Sequence, residues 1–147
     1  MSQDAYLEAA IGEARRSLAE GGIPIGSVLV HEGKIIGRGH NCRVQSGSAI
    51  DHGEMNCLRN AGRLPATVYR NCTIYSTLSP CPMCSGAIVL YRIPRVVVGE
   101  NQTFLGAEDY MRSQGIRVDV IQDGECIQLM RDFIRAHREL WNEDIGV

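Results

Sequence analysis

Residues 72–100 most constrain the fold of this sequence, because they predict a strand, a helix and a second strand in immediate succession. The outer segments, "CTIYSTL" and "PRVVVGE", are short and contain the β-branched residues typical of strands. The middle segment, "CPMCSGAIVLYR", is long enough for a helix. Crossovers of this kind are right-handed and join parallel strands, so the sequence predicts a sheet with a parallel part.

The other predicted elements lie on both sides of this unit. A first helix ends at Gly21-Gly22, and "SVLVHEGKIIGRG" follows as a hairpin with Glu32-Gly33 at its turn. We also predict a helix at 51–62, a short helix at 106–113, a fifth strand at "RVDVIQ" and one last helix. The positions predicted to face the core are Leu7, Ile11, Ala14 and Leu18 in the first helix, Met55, Leu58 and Ala61 in the second, and Met130, Ile134, His137 and Trp141 in the last.

Together these elements predict an α/β fold. Helices would cover both faces of the sheet, giving a three-layer αβα sandwich with a mixed five-stranded sheet. The chain has 147 residues, of which 44% are hydrophobic, enough for a core without disulfides or structural metals. We therefore expect one domain over residues 1–147.

Charge and cysteine content indicate which kinds of partner and which compartment to expect. The formal net charge is −2, and Arg15-Arg16 is the only adjacent basic pair, so no stripe of charge is visible that would follow a nucleic-acid backbone. No apolar run approaches the length of a membrane span, and the start of the chain does not resemble an export signal. Without export, the six cysteines are better explained as free thiols or metal ligands than as disulfides. We expect a cytosolic protein that binds neither nucleic acid nor membrane.

Two predicted helix starts carry the residues suited to metal chemistry. "HGE" at 52–54 opens one helix, and "CPMC" at 81–84 opens another directly after a strand. Cys81 and Cys84, three residues apart, would face the same way in a first helical turn. The positive potential of a helix N-terminus also favours thiolate, the form that binds metals.

Three interpretations of this pattern remain open from the residues alone. A thioredoxin-like redox pair would use Cys81 and Cys84 but would not explain the histidine and glutamate. A structural zinc site would require a fourth ligand, such as Cys57 or Cys72. A catalytic zinc site would use three ligands, with a water molecule in the fourth position and a free carboxylate beside it.

The order of motifs resembles a known family. The pairing of His52-x-Glu54 with Pro80-Cys81-x-x-Cys84 is similar to the zinc-dependent cytidine deaminase superfamily, whose zinc motif has this form. The whole chain further resembles the small homodimeric cytosine deaminases of the fungal type. The matching segments are "EGGIPIGSVLV", "GRGHN", "HGE", "TLSPCPMCSGAI", "IPRVVVGEN" and "WNEDIG".

The resemblance implies a role for each matching residue. His52, Cys81 and Cys84 would hold one zinc ion per chain, and Glu54 would carry protons from the zinc water to the ring and then to the departing amino group. Residues 138–147 would form a lid over the active site. The substrate-binding residues implied by the family are Ile25, Asn41, Gly53, Ser79, Phe104, Trp141, Asp144 and Ile145. The expected reaction converts cytosine to uracil and ammonia, in a homodimer acting on a free base.

Several alternatives remain at this stage. The base could instead be isocytosine, a purine or a triazine; the domain could bind zinc without catalysis; or the enzyme could edit transfer RNA. Asn142 replaces the second aromatic residue of the fungal tail, so we expect a less tightly packed lid. Asn41 could be a turn residue, Asp144 a solvated tail residue and Trp141 a core residue. We expect His31 and His40 to face water or to make local hydrogen bonds.

Overall fold

The computed structural model describes residues 3–147, with side chains from residue 5 onward. Five strands and eight helices alternate along this part of the chain. In chain order they are α1 Gln3–Ala19, β1 Gly26–His31, β2 Lys34–His40, α2 Arg43–Ser46, α3 Gly53–Ala61, α4 Ala66–Tyr69, β3 Cys72–Ser76, α5 Pro82–Leu90, β4 Arg95–Val98, α6 Glu108–Ser113, β5 Arg117–Val120, α7 Gly124–Ala136 and α8 Arg138–Asp144.

The strands form one mixed sheet in the order β2-β1-β3-β4-β5. β1 is antiparallel to both β2 and β3, whereas β3, β4 and β5 are parallel to one another. The parallel half therefore begins at the strand–helix–strand unit of residues 72–98, as predicted. The hairpin turn is also confirmed, because Glu32 and Gly33 both have positive φ angles, 49° and 77°, which suit a tight two-residue turn.

Each face of the sheet has its own apolar layer. Leu29, Ile74 and Val96 pack on one side with residues of α3, α5 and α6. Val28 and Tyr75, their neighbours along the strands, pack on the other side with residues of α1 and α7. This alternation follows from the two-residue period of a strand. The three-layer αβα sandwich is confirmed.

The C-terminal region differs from the single helix predicted for it. His137 has φ −138° and ψ 56°, outside the helical region, and divides the region into α7 and α8. After this break the chain changes direction, and both Trp141 and Asp144 become buried. His137 itself is exposed, with its ring against Phe133, so its predicted place in the core is wrong.

Two other predicted core positions also differ. Leu18 is 44% exposed, and the adjacent Ser17 is fully buried in its place, where its hydroxyl donates a 2.6 Å hydrogen bond to the Asn41 carbonyl. Met55 is only half-buried, whereas Glu54 and Cys57 are buried on α3. Hydrophobicity alone misses these positions, because the buried polar side chains have partners distant in sequence.

Gly26 provides a test of how closely α1 packs on the sheet. A Cβ atom at Gly26 would overlap the Ala10 carbonyl oxygen and lie 2.5 Å from the Ala14 nitrogen, both backbone atoms of α1. We expect Gly26→Ala to lower the free energy of unfolding by roughly 1–3 kcal/mol, measured by urea denaturation of the zinc-loaded protein. Gly12→Ala is the matched control. Nothing lies within 4 Å of a Cβ at Gly12 in α1, so that variant should be as stable as the parent or more so. Equal stability of both variants would contradict the packing described.

Within residues 3–147, no helix combines the length and the apolar character needed to cross a bilayer.

Candidate active site

Two helix N-termini bring the potential metal ligands together. His52 precedes α3 and Cys81 precedes α5, both with extended backbone, and neither side chain caps its own helix. Both side chains are therefore free to turn toward the same point. The His52 Nδ1 and Cys81 Sγ atoms are 3.5 Å apart, and with Cys84 they form a set of ligand atoms all within 4.8 Å of one another.

Hydrogen bonds and burial set the pKa values of these three groups. The hydrogen bond from the Cys84 thiol, against the opposing effect of burial, lowers the pKa of Cys81 to about 4, and His52 adds to this effect. The pKa of Cys84 is raised well above its ordinary value by the same shared hydrogen bond and by burial. Although burial opposes the shift, the hydrogen bond with Cys81 and the charge of Asp144 raise the pKa of His52 to about 9. A thiolate, a thiol and an imidazolium thus lie together, and a metal would bind as Cys84 and His52 release their protons. Two sulfur ligands and one nitrogen ligand fit zinc, with one position left open for a small molecule.

Glu54 lies in the first turn of α3 and faces the same space, but it is outside the three-ligand set. Its side chain is buried. Burial, aided by the negative charge of Cys81, raises the pKa of this carboxyl to about 7, although His52 opposes the shift. A carboxyl group placed in this way can accept and release a proton near neutral pH.

A small cavity adjoins these groups. Its volume is only about 10 Å³, about the space of one water molecule, so the surrounding side chains nearly fill it. Its walls come from β1, the end of β3, the loop before α6 and the C-terminal segment. The lining residues are Ile25, His52, Glu54, Leu78, Ser79, Cys81, Phe104, Trp141, Asp144 and Ile145. Leu78 had not been predicted, although it belongs to the segment "TLSPCPMCSGAI".

The C-terminal segment closes one side of this cavity. The Trp141 ring meets the Phe104 ring edge-on, with centroids 5.7 Å apart and an interplanar angle of 87°. Both Trp141 and Asp144 are buried, and Ile145 packs beside them. Trp141 is therefore both a core residue and a wall of the cavity.

Asp144 is held by polar groups rather than exposed in a tail. Its Oδ1 accepts a 2.8 Å hydrogen bond from Asn41 Nδ2 and lies 3.5 Å from His52 Nε2. Burial raises the pKa of Asp144, although the charge of His52 and the hydrogen bond from Asn41 oppose the shift. Asn41 is fixed in turn, because its Oδ1 accepts a hydrogen bond from the Arg43 amide and its carbonyl accepts one from Ser17. Asn41 does not line the cavity, and its amide orients Asp144.

Comparison with known proteins agrees with this geometry. Residues 1–100 match the family described as the cytidine and deoxycytidylate deaminase zinc-binding region. The chain belongs to this family. It is a zinc-dependent hydrolytic deaminase.

Relatives of this deaminase act on different substrates. A cytosine deaminase from Candida albicans is 53% identical over 141 residues, covering 95% of this chain and 94% of the relative. A tRNA-specific adenosine deaminase from Streptococcus pyogenes is 40% identical, covering 93% of this chain and 92% of that protein. A solved structure from work on A-to-I editing by tRNA:A34 deaminases has a TM-score of 0.73 and 28% identity, covering 86% of this chain and 99% of the other.

Gly53 of this deaminase is needed for packing within the protein. A Cβ atom there would lie 3.1 Å from the Ile25 carbonyl oxygen and 3.2 Å from Ile25 Cγ2. The close fit leaves no room for a side chain at position 53 beside Ile25.

Ser79 is held through a contact that the sequence did not reveal. Its hydroxyl donates a 2.6 Å hydrogen bond to Glu108 Oε2 and accepts one from the Gly106 amide. Glu108 is buried at the start of α6 and shows no sequence motif that would have identified it. These bonds fix the main chain of Ser79 at the cavity wall.

His40 belongs to a second polar cluster, one residue before Asn41. Its Nδ1 is 2.9 Å from Glu13 and its Nε2 is 2.8 Å from Glu20, so both ring nitrogens are engaged by α1 and the turn after it. The expectation that His40 faces water is wrong, since the residue is buried. The cluster joins α1 to the end of β2, where it steadies the backbone that carries Asn41. Glu20, His40 and Cys42 are also close enough together to be counted as possible metal ligands.

Proposed function

We propose that this deaminase converts free cytosine to uracil and ammonia. The observation that carries the proposal is the small cavity beside the metal-ligand set, closed by Trp141 and Ile145 and with buried Asp144 in its wall. The base occupies this site once the C-terminal segment moves aside, because the cavity holds only about 10 Å³ as it stands. The similarity to the Candida albicans cytosine deaminase supports cytosine as the base.

We assign the metal to His52, Cys81 and Cys84, as one zinc ion per chain. When bound, zinc acidifies water, lowering its pKa from about 15.7 toward 7. Glu54 is the proton carrier. It accepts one proton of the water and passes it to ring N3 as the water oxygen bonds to C4; it then takes the second proton from the hydroxyl group on C4 and passes it to the amino group, which leaves as ammonia when the C4–N bond breaks. Its burial beside the metal ligands, without membership of the ligand set, supports this role.

We assign the opposite side of the cavity to substrate recognition. Asp144 and the Ser79 carbonyl accept hydrogen bonds from the exocyclic amino group. We assign the N1/O2 edge to Asn41 and the Gly53 amide; neither lines the cavity as it stands, so these contacts form when the cavity opens, and Asn41 also fixes Asp144. The apolar residues that enclose the ring are Ile25, Phe104, Trp141 and Ile145.

Residues 1–147 act as one deaminase domain, with 138–147 as its lid. Because Trp141 and Asp144 are buried, the base enters and the product leaves only when α8 moves away. The lid thus controls access to the site.

We further propose that the enzyme is a homodimer. A groove between α3 and the end of α5 includes Met55, Leu58 and Tyr91, and the nearby side chains of Ile50 and Leu90 are 55% and 69% exposed. Exposed apolar patches of this kind commonly mark subunit interfaces. A mass of two chains by light scattering, reduced to one chain by Leu90→Glu, is the expected result.

The direct test is ammonia release by zinc-loaded protein from cytosine, isocytosine, adenine, guanine and the nucleoside cytidine. Cytosine should dominate. Activity confined to another base would refute the cytosine assignment and would indicate that the ring binds in a different orientation.

Transfer RNA is a second candidate substrate because of the 40% identity to a tRNA-specific adenosine deaminase. Its test is salt-sensitive tRNA binding together with inosine formation, neither of which we expect.

Asp144→Asn tests the recognition of the amino group. The substitution replaces one acceptor oxygen with a donor that faces both Asn41 and the base. We expect kcat/KM for cytosine to fall about 10- to 100-fold, since an unmatched buried polar group costs about 1–3 kcal/mol. Glu143→Gln, exposed on the same helix, should stay within about twofold. Retained activity in Asp144→Asn, with normal zinc content, would exclude the assigned contact.

A further inference from the structure

A second cavity lies on the outer side of the lid, and we call it the arginine cavity. Arg131 and Arg135 of α7 and Arg138 of α8 line it, together with Ile134 and Trp141. The loop at 102–103 forms the opposite rim. No acidic residue is among the lining residues.

The three arginines have no carboxylate partner among the side chains of residues 5–147. Arg63, Arg70 and Arg92 also lack a carboxylate partner among these side chains, whereas Arg15 contacts Glu125 and Arg59 Nη1 is 3.1 Å from Asp51. What distinguishes Arg131, Arg135 and Arg138 is that they line one cavity together. Arg131 and Arg135, four residues apart on a helix, repel each other unless an anion lies between them.

The helix dipole does not account for this grouping. Arg135, in the last turn of α7, is favourably placed relative to the dipole. Arg138 is the first residue of α8, the end at which the dipole disfavours a positive charge. The helix dipoles therefore favour Arg135 and disfavour Arg138, and they do not account for both residues at one cavity.

The rim opposite the arginines is already ordered. The buried Glu100 carboxylate accepts hydrogen bonds from the Gln102 and Thr103 amides, at 2.7 and 2.9 Å, and from the Thr103 hydroxyl. The Glu100 carboxylate is thus hydrogen-bonded within its own loop and is not a partner of the arginines.

Trp141 connects the two cavities. It lines both the arginine cavity and the cavity beside Glu54, so its ring is a shared wall between them. The arginine cavity also spans the break at His137, with two arginines before it and one after it. An anion held there would tie α8 to α7.

We propose that the arginine cavity binds a small phosphate monoester. The phosphate contacts the arginines, which suit planar, charge-assisted hydrogen bonding to phosphate oxygens. The organic part of the ligand rests on Ile134 and Trp141. Three cations confined to a pocket match one phosphate group better than they match a nucleic-acid backbone, which needs charge along an extended path.

The expected consequence is slower turnover, and this part rests on the proposed function. By bridging α7 and α8, the bound ligand would hold the lid closed and delay entry of the base and release of the product. The effect would therefore be a lowered kcat rather than competition at the cytosine site.

The binding test is independent of activity, because Trp141 is the only tryptophan of the chain and reports on the cavity by its fluorescence. Zinc-loaded protein is titrated with inorganic phosphate, with uridine 5′-monophosphate and with an RNA oligonucleotide, and with sodium chloride at matched ionic strength. The variants are Arg135→Gln and Arg138→Gln. Arg70→Gln is the matched control. Arg70 is exposed and lies outside the cavity, and its substitution removes the same charge.

We expect saturable fluorescence changes with phosphate and a tighter response to the nucleotide. Arg135→Gln and Arg138→Gln should each weaken binding about tenfold, whereas Arg70→Gln should bind as the parent does. Binding of phosphate but not of the nucleotide would contradict the apolar contact. An equal response to sodium chloride, equal affinity in all variants, or binding only to an RNA oligonucleotide would overturn the proposal. Binding without any change in kcat would overturn the lid effect alone.

Discussion

Glu54→Gln is expected to keep its zinc and its fold and to lose roughly 10²–10⁴-fold in kcat, the range in which proton transfer by a positioned side chain contributes. Glutamine fills the same buried space but neither accepts nor releases the proton. Because Glu54 lies outside the ligand set, the metal should remain. Ammonia release and zinc content are measured on the same preparation.

The control for this variant is Glu8→Gln, which changes an exposed glutamate of α1 and should leave the rate within about twofold. An active Glu54→Gln enzyme would refute the proposed proton carrier. Loss of zinc together with activity would instead place Glu54 among the metal ligands.

Cys84→Ser has the second large effect, because it removes a buried sulfur ligand from the site. We expect zinc affinity to fall by more than about 100-fold, beyond the loss seen when only a supporting group of a metal site is changed. Deaminase activity should be lost in parallel. Zinc bound per chain is measured by atomic absorption after dialysis against a weak chelator.

Cys42→Ser is the matched control for the metal site. Cys42 is half-buried and belongs only to the cluster with Glu20 and His40. This variant should keep one zinc per chain and its activity, since both ring nitrogens of His40 are already engaged by carboxylates. Zinc lost from Cys42→Ser and retained in Cys84→Ser would reverse the assignment of the metal centre.

The features that could be predicted from the sequence are those encoded by neighbouring residues. The turn at Glu32-Gly33 depends on two adjacent backbone conformations, and the α5 start depends on a proline and two cysteines within four residues. The mixed sheet followed from the handedness of the crossover at residues 72–98. Conformations encoded by neighbouring residues are found in the folded protein because few distant contacts favour a different conformation.

The features that were missed depend on contacts between distant parts of the chain. His40 is buried because Glu13 and Glu20 meet it from α1, and Ser17 replaces Leu18 in the interior because its hydroxyl reaches Asn41. A hydrophobicity pattern contains no information on such pairings. No proline or glycine lies at the His137 break, so no residue typical of helix ends predicts it.

The residues of the site show the same difference between local sequence patterns and contacts of distant residues. The residue pattern offered His52, Cys81 and Cys84 as the ligands in one of three interpretations, whereas Asp144 and Asn41 were assigned only through the family resemblance. These two side chains are hydrogen-bonded across 103 positions of sequence. Glu108, which fixes Ser79, was found only in the structure.

The break at His137 makes the C-terminal ten residues a segment that can be exchanged as a unit. The zinc ligands and Glu54 belong to helices packed on the sheet, whereas Trp141, Asp144 and Ile145 arrive on one short helix after a single non-helical residue. We therefore expect substitutions after residue 137 to change which ring is accepted more than they change proton transfer at Glu54. Grafting the tails of purine-specific relatives after residue 137 offers protein engineers the same route.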